Sequence, residues 1–243
     1  MLGRIFTVGG YTLLSRVTGF ARDIMLAAIL GAGPVADAFF VALRLPNHFR
    51  AIFAEGAFNA AFVPAYAHVH GERGEASARL FADRIFTLLF ASQVILLVVA
   101  MAFMPQAMSI LAPGFTEDAA QRQLAIELTR ITFPYLLLIT LVTLYGGMLN
   151  VMHRFASAAA APIFLNLAMM MTLALAAFFP SAGHAAAWGV LISGVLQFAL
   201  LAGDLARHGG LPRFAPLRLD EDVRAFFRAL GPRSEEHTSE LQS

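Results

Sequence analysis

Four long apolar runs without a charged residue constrain the fold of this chain more than any other feature. They cover residues 85–104, 131–152, 155–179 and 185–203. Each run is about as long as a helix needs to be to cross the ~30 Å hydrocarbon core of a bilayer at 1.5 Å per residue. Charged residues make up 14% of the chain, against about 25% in soluble domains. The chain is therefore predicted to be an all-α integral membrane protein, a polytopic helical bundle.

Six transmembrane spans are predicted from the alternation of apolar runs with polar turns. Their approximate limits are 5–31, 37–67, 82–112, 126–152, 157–179 and 185–206. They make up a predicted membrane domain over residues 1–217, with polar loops at 68–79 and 112–123. Asn150 and Asn166 lie in these spans, and we expect such amides to form hydrogen bonds between helices.

The character of the chain changes after residue 217. Residues 218–232 have apolar and basic residues at helical spacing, which predicts the amphipathic start of a seventh helix. Residues 233–243, RSEEHTSELQS, are polar and resemble the translation of a common sequencing adapter. We interpret them as a non-native tail and exclude them from fold reasoning. On this interpretation the native protein continues beyond Pro232 and the seventh helix is truncated.

All seventeen basic residues are arginines, and their distribution predicts the orientation of the chain. Cytoplasmic segments of membrane proteins are enriched in basic residues. With the N-terminus inside, the inside segments hold Arg4, Arg73, Arg79, Arg84, Arg154, Arg207, Arg213 and Arg218. The predicted outside loops hold only Arg122. The N-terminus is therefore predicted to be cytoplasmic.

The first two spans differ from the others because they carry charges within the apolar sequence. These charged residues are Arg16, Arg22, Asp23, Asp37, Arg44, Arg50 and Glu55. An arginine near the bilayer centre costs about 2.5–3.5 kcal/mol on insertion scales, so such residues face a bundle interior or a watery cavity. The arginines outnumber the acids, and guanidinium groups bind phosphate in bidentate fashion. This pattern indicates a carrier or flippase for a phosphate-bearing substrate.

Buried ion pairs are the alternative explanation of these charges. At 100° per residue Arg16 and Asp23 share a helix face, whereas Arg22 lies about 120° from Arg16. A bend at Gly19 would bring the two guanidinium groups together. In the second span Arg50 could pair with Glu55, and an internal proline is expected to kink the helix.

Two stretches carry a family resemblance. SRVTGFARD (15–23) and GAGPVADAFFVALRLPNHFRAIFAEGAFNAAFVPAY (31–66) resemble the start of the MurJ/MviN family, the bacterial lipid II flippases of the MOP exporter superfamily. The resemblance is specific over residues 4–70 and looser to about 230. It implies one lobe of a two-lobed, fourteen-helix transporter in the bacterial inner membrane. Such a transporter moves the undecaprenyl-diphosphate-linked precursor to the periplasmic leaflet by alternating access.

The resemblance also implies which residues bind substrate. They are Arg16, Arg22, Arg50, Asp23 and Asp37, with weaker matches at Ser15 and Glu55. Another cavity arginine, a cation site and a tail-binding groove belong to later helices of the family. These features are absent from this sequence, so the chain alone is expected to be inactive.

The implied partners are lipid II and membrane lipids, with peptidoglycan synthases considered as further partners. No enzyme activity, cofactor, metal or nucleic acid is expected. Three rival functions remain: a related exporter of another prenyl-diphosphate oligosaccharide or of a drug, a membrane enzyme acting on polyprenyl phosphates, and a non-transporting scaffold of the cell-wall machinery.

Overall fold

The computed structural model describes residues 2–53, 57–112, 114, 118–218 and 220–240. The regular elements in these ranges are helices. In chain order they are α1 (Leu2–Leu30), α2 (Pro34–Phe53), α3 (Ala57–Ala102), α4 (Met104–Leu111), α5 (Ala119–Thr132), α6 (Tyr135–Val151), α7 (Ala156–Ala174), a 3-10 turn (Ala176–Phe178), α8 (Ala182–His208) and α9 (Glu221–Glu240). The predicted all-α class is confirmed.

The helix predicted over 5–31 agrees with α1, and the described residues of the second predicted span, 37–67, are helical in α2 and α3. The turn between α1 and α2 contains Gly31, whose positive φ of 65° suits glycine. Helix α2 continues through Pro46 to Phe53, and α3 covers the rest of this span from Ala57. Residues 54–56 lie outside the described residues.

Helix α3 consists of two arms that fold back on each other. Gly74, with φ 80° and ψ 178°, separates residues 57–73 from residues 75–102. The ring centroids of Phe62 and Phe81, one on each arm, are 5.9 Å apart. In a straight helix nineteen residues would separate them by about 28 Å. The polar loop predicted over 68–79 is therefore wrong, because these residues are helical and one glycine supplies the break.

Predicted spans three and four each contain a break between two helices. A bend at Phe103 separates α3 from α4, and Pro105 lies in the first turn of α4. Phe133 and Pro134 separate α5 from α6. Proline lacks the N–H that a helix interior needs, so helices tend to restart where it occurs. The loop predicted over 112–123 is shorter than expected, since α5 begins at Ala119.

The spans predicted over 157–179 and 185–206 agree with α7 and α8 within a few residues. Four segments of the described chain are long and apolar enough to cross a membrane: Phe58–Ala102, Ala119–Val151, Ala156–Ala174 and Ala182–His208. Helices α1 and α2 are not among them, since both carry charged residues. The chain is thus a multi-pass membrane protein.

Two apolar clusters hold the helices together. The aromatic cluster joins both arms of α3 to α6 and α9, and its ring residues are Phe58, Phe62, Tyr66, Phe81, Phe86, Tyr145 and Phe226. The second cluster joins α2, α4, α5, α6, α7 and α8. Helix α1 packs mainly on α7, and α7 packs on α8. A β-carbon built at Gly189 of α8 would lie 2.9 Å from Met169 Cα, so α7 and α8 approach closely there.

One end of the molecule is tied together by polar contacts along α3. Arg79, Asp83 and Thr87 lie one per turn. Arg79 donates to the Gly209 carbonyl, and the Asp83 carboxylate and the Thr87 hydroxyl accept from the backbone N–H groups of Arg213 and Ala215, at 2.8 and 3.0 Å. These contacts hold residues 209–215 against the second arm.

Helix α9 is attached at the same end. Arg73 and Arg84 of α3 form ion pairs with Asp222 and Asp220. The predicted helix over 218–232 begins at Glu221 and continues to Glu240, so no change in secondary structure marks residue 232.

Candidate functional site

A cavity of about 310 Å³ lies between α1 and α2 and is backed by α6, α7 and α8. Its charged lining residues are Arg22 and Asp23 from α1 and Arg50 from α2. Two guanidinium groups and one carboxylate give this lining one net positive charge. Asn47 and Tyr135 add polar groups, and the remaining lining side chains are apolar. The cavity therefore combines a cationic end with an apolar wall.

Arg22 has a defined position because three hydrogen bonds hold its guanidinium group. Nε and Nη2 donate to Asp23 Oδ1, at 3.0 and 2.7 Å, and Nη1 donates to Asn166 Oδ1 at 2.9 Å. The Arg22 side chain is 23% exposed, whereas that of Asp23 is 62% exposed. Arginine has five N–H donors, so three of them are engaged by these two residues.

Asn166 connects the site to the packing of α1 on α7. Its Nδ2 donates to the Ser15 carbonyl oxygen and to Thr18 Oγ1, both at 3.0 Å. A β-carbon built at Gly19 would be 3.4 Å from the same nitrogen. The lack of a side chain at Gly19 therefore lets α7 approach α1 at the level of the amide. The predicted hydrogen bonding of Asn166 between helices is confirmed.

Arg50 reaches the cavity from the other side. It lies half-buried in the last turn of α2. The adjoining cavity wall on α2 includes Pro46 and Asn47, about one helical turn earlier. Arg22 and Arg50, two of the three arginines predicted to bind substrate, thus line the same cavity although they belong to different helices.

The other predicted site residues lie elsewhere. Arg16 is exposed on α1 and is not part of this cavity lining, which agrees with its predicted phase about 120° from Arg22. Ser15 is half-buried and contributes its backbone carbonyl to the contact with Asn166. Asp37 is exposed in the first turn of α2. Glu55 lies outside the described residues, so its predicted contact with Arg50 does too.

The ion pair of Asp23 differs from the alternative considered from the sequence. Asp23 pairs with the neighbouring Arg22, not with Arg16. Seven residues along a helix correspond to about 10 Å, which is too far for a direct bond, whereas the long Arg22 side chain can fold back to its neighbour. Helix α1 also runs through Gly19 without a break.

Two features of the site were missed from the sequence. The bond between Arg22 and Asn166 joins residues 144 positions apart, and helical periodicity carries no information about such pairs. An asparagine within an apolar run was the available signal. The apolar wall, which includes Leu165, Met169 and Val190, was not distinguished from lipid-facing sequence.

Comparisons with known proteins give one consistent result. The family model described as lipid II flippase MurJ matches residues 26–234. The probable lipid II flippase MurJ of Rhizobium tropici is 43% identical over 227 residues, which are 89% of this chain and 42% of that protein. The lipid II flippase MurJ of Burkholderia cenocepacia is 38% identical over 217 residues, 88% of this chain and 42% of that protein.

Solved structures give the same fold. A lipid II flippase MurJ in an inward closed conformation matches with a TM-score of 0.72 and 24% identity, covering 92% of this chain and 46% of that one. An outward-facing MATE family transporter of the MOP superfamily matches with a TM-score of 0.68 and 18% identity, covering 93% and 50%. The chain spans about two fifths of the length of the curated relatives described above.

Proposed function

Because this chain belongs to the MurJ family, we propose that it is part of a lipid II flippase and that its cationic cavity binds the diphosphate of the substrate. One observation carries the proposal: Arg22 and Arg50, from two different helices, line one cavity with a net positive charge. Guanidinium groups form paired, charge-assisted hydrogen bonds with phosphate oxygens. A volume of about 310 Å³ is at the lower end for small-molecule sites, and it suits a diphosphate better than a whole sugar-peptide headgroup.

The predicted site residues that lie outside the cavity are proposed to act when the transporter closes around its substrate. Arg16 and Asp37 are exposed, at separate points of the same two helices. We propose that they, with Ser15 and Glu55, contact the headgroup when a second lobe closes over this one. Translocation by alternating access requires that second lobe, since rocking needs two bodies around a shared site.

The proposed membrane arrangement has six spans over residues 1–217: α1 is the first, α2 with the first arm of α3 is the second, and the second arm of α3 is the third. The segments Ala119–Val151, Ala156–Ala174 and Ala182–His208 supply the other three. Arginine lining a polar cavity is spared the cost of contact with lipid, which supports this placement of the two charged helices. The excess of arginine in one set of loops supports a cytoplasmic N-terminus in a bacterial inner membrane. Residues 233–243 are proposed to be non-native.

The proposed chemistry is binding and release, without a covalent step. The family is one of transporters, and the roles proposed above need hydrogen bonding and charge alone. Lipid II is the proposed substrate, membrane lipids surround the helices, and peptidoglycan synthases are proposed partners of the whole transporter.

A chimera tests this function directly. Residues 2–232 of this chain, which include both Arg22 and Arg50, replace the corresponding part of the Burkholderia cenocepacia relative, and the chimera is expressed in cells depleted of their own lipid II flippase. We expect the chimera to restore growth. Arg22→Ala and Arg50→Ala should each abolish growth at unchanged membrane levels, because each removes a cavity cation.

Arg130→Ala is the matched control, since Arg130 is exposed in the last turn of α5 and is not part of the cavity lining. It should grow like the unmodified chimera. Normal growth of the Arg22→Ala, Arg50→Ala double variant would show that the cavity arginines have no role in transport. It would favour a scaffold function.

A further inference from the structure

Asn166 occupies an unusual position for an amide. It lies in α7, within the uncharged run 155–179, and is only 4% exposed. Burying an amide is costly unless its polar atoms are hydrogen-bonded. Here both are: Oδ1 accepts from Arg22, and Nδ2 donates to the Ser15 carbonyl and to Thr18. The amide therefore contacts three residues of α1 over two helical turns.

Chemistry fixes the orientation of this amide. The Arg22 guanidinium group can only donate and the Ser15 carbonyl can only accept, so Oδ1 must face the arginine and Nδ2 the carbonyl. The Thr18 hydroxyl donates to the Leu14 carbonyl at 2.8 Å, which leaves its oxygen to accept from Nδ2. A flipped amide would place donor against donor and acceptor against acceptor.

The bond to Asn166 also decides where the Arg22 charge points. Asp23 holds Nε and Nη2, and by itself it would draw the guanidinium group toward the exposed side of α1. Asn166 holds Nη1 from the buried side, on the helix that contributes Leu165 and Met169 to the cavity wall. An amide is neutral, so it orients the arginine without cancelling its charge.

We propose that Asn166 is a positioning residue for substrate binding. It holds the Arg22 guanidinium group at the cavity and leaves it cationic, so that the remaining N–H groups can donate to phosphate oxygens. This inference rests on the proposed function, because it assumes that the cavity binds a diphosphate. Asn166 makes no contact with substrate in this proposal, and it affects binding only by orienting Arg22.

A double-mutant cycle tests this dependence on Arg22. The full chain is placed in nanodiscs, and inorganic pyrophosphate binding is measured by calorimetry for Asn166→Leu, Arg22→Ala and the double variant. We expect Asn166→Leu to weaken binding about 10- to 100-fold, the size expected for one charge-assisted hydrogen bond. In the Arg22→Ala background it should have no further effect. An equal loss in both backgrounds would overturn the proposal, since Asn166 would then act on the fold.

Thr172→Val provides the control variant. Thr172 lies on the same helix, is equally buried at 4%, and bonds only carbonyls of its own helix, those of Ala168 and Met169. Its replacement should leave pyrophosphate affinity unchanged. If Asn166→Leu does not fold, Asn166→Ser replaces it. A serine hydroxyl can bond its own helix backbone but is too short to reach Arg22.

A second measurement does not depend on the ligand. In the ¹⁵N-arginine-labelled chain, the Nη1 group of Arg22 should rotate slowly in the native protein and rapidly in Asn166→Leu, while Nη2 stays bonded to Asp23 in both. The signals of Arg22 are identified as those that disappear in the Arg22→Lys variant. Unchanged Arg22 rotation in Asn166→Leu would overturn the positioning role. Absence of pyrophosphate binding by the native chain, with altered Arg22 rotation in the variant, would instead overturn only the diphosphate site.

Discussion

The cavity side and the aromatic side of this molecule are built by opposite means. At the cavity, α1 rests on α7 with an asparagine between them, and charged side chains line the space toward α2. On the aromatic side, rings from both arms of α3 stack on each other and meet the α9 ring of Phe226 edge-on, at centroid distances of 5.4–6.5 Å, and ion pairs lie at the edge.

The difference indicates which side is shaped for stability and which for binding. Aromatic packing is insensitive to small changes in charge, and it gives α3 and α9 a fixed relation. Polar contacts around a cavity depend on each partner, because a buried amide or guanidinium group that loses its bond is costly. We therefore expect substitutions on the aromatic side to affect unfolding, and those at the cavity to affect ligand affinity first.

The largest effect on stability is expected from replacing a phenylalanine by alanine on the aromatic side, compared with the same replacement on the cavity side. Phe62 is fully buried and stacks on Phe58, Tyr66 and Phe81, whereas Phe40 lines the cavity and is 52% exposed. Phe62→Ala should lower the free energy of unfolding by about 3 kcal/mol, the low end for buried phenylalanine. The low end applies because a ring that leaves the core of a membrane protein meets lipid and not water.

Phe40→Ala should cost less than about 1 kcal/mol, because half of the ring is already exposed. Reversible unfolding in mixed detergent micelles measures both variants. Equal losses would mean that the two sides do not differ in packing.

An intermediate effect is expected where α8 supports the cavity wall. Gly189→Ala would place a methyl group 2.9 Å from Met169 Cα, and backbone cannot move as a flexible side chain can. Overpacking of this kind costs about 1–3 kcal/mol, measured by the same unfolding assay. Gly203→Ala on the same helix is the control, since a β-carbon there meets no atom within 4 Å. A stable Gly189→Ala variant would show that α7 and α8 can separate without cost.

The smallest effect is expected at the edge of the aromatic side. Arg73 pairs with Asp222 at 2.8 Å, but its side chain is 50% exposed. Exposed ion pairs contribute less than about 1 kcal/mol and weaken with salt. Arg73→Ala should therefore change stability by less than that amount, with the difference vanishing in high salt. A loss of stability as large as that of Phe62→Ala would show that the ion pair, and not the aromatic rings, holds α9 in place.

Much of the fold was predictable from the sequence because apolar length is a strong signal. The last two spans, at 157–179 and 185–206, agree with α7 and α8. The breaks in the earlier spans were less predictable. Gly74 reverses the chain inside a segment whose composition suggests a loop, and Pro134, where α6 restarts after α5, lies in a run that is apolar throughout. Hydropathy records how apolar each residue is and gives no information about its backbone torsion angles.

The site was predictable only in part. Charges within apolar helices identified Arg22 and Arg50, because the membrane makes such residues costly unless they face a cavity. Arg16 was expected to join Arg22 at the cavity, but it is exposed and lies outside the lining, because α1 runs straight through Gly19 and keeps the two residues on different faces. The partner of Arg22 was not predictable, since which residue of α7 meets α1 depends on how the two helices pack, and a single sequence does not contain that register.

The contacts along α3 have a consequence for how the 209–215 segment can evolve. Arg79, Asp83 and Thr87 bind its backbone groups and none of its side chains. Exposed positions of the segment, such as Leu211, can therefore change without loss of these contacts, whereas the ring of Phe214 also packs on α3, 5.2 Å from Phe86 and 5.3 Å from Phe90. Proline at 213 or 215 would weaken the attachment, because it removes an N–H that donates to α3.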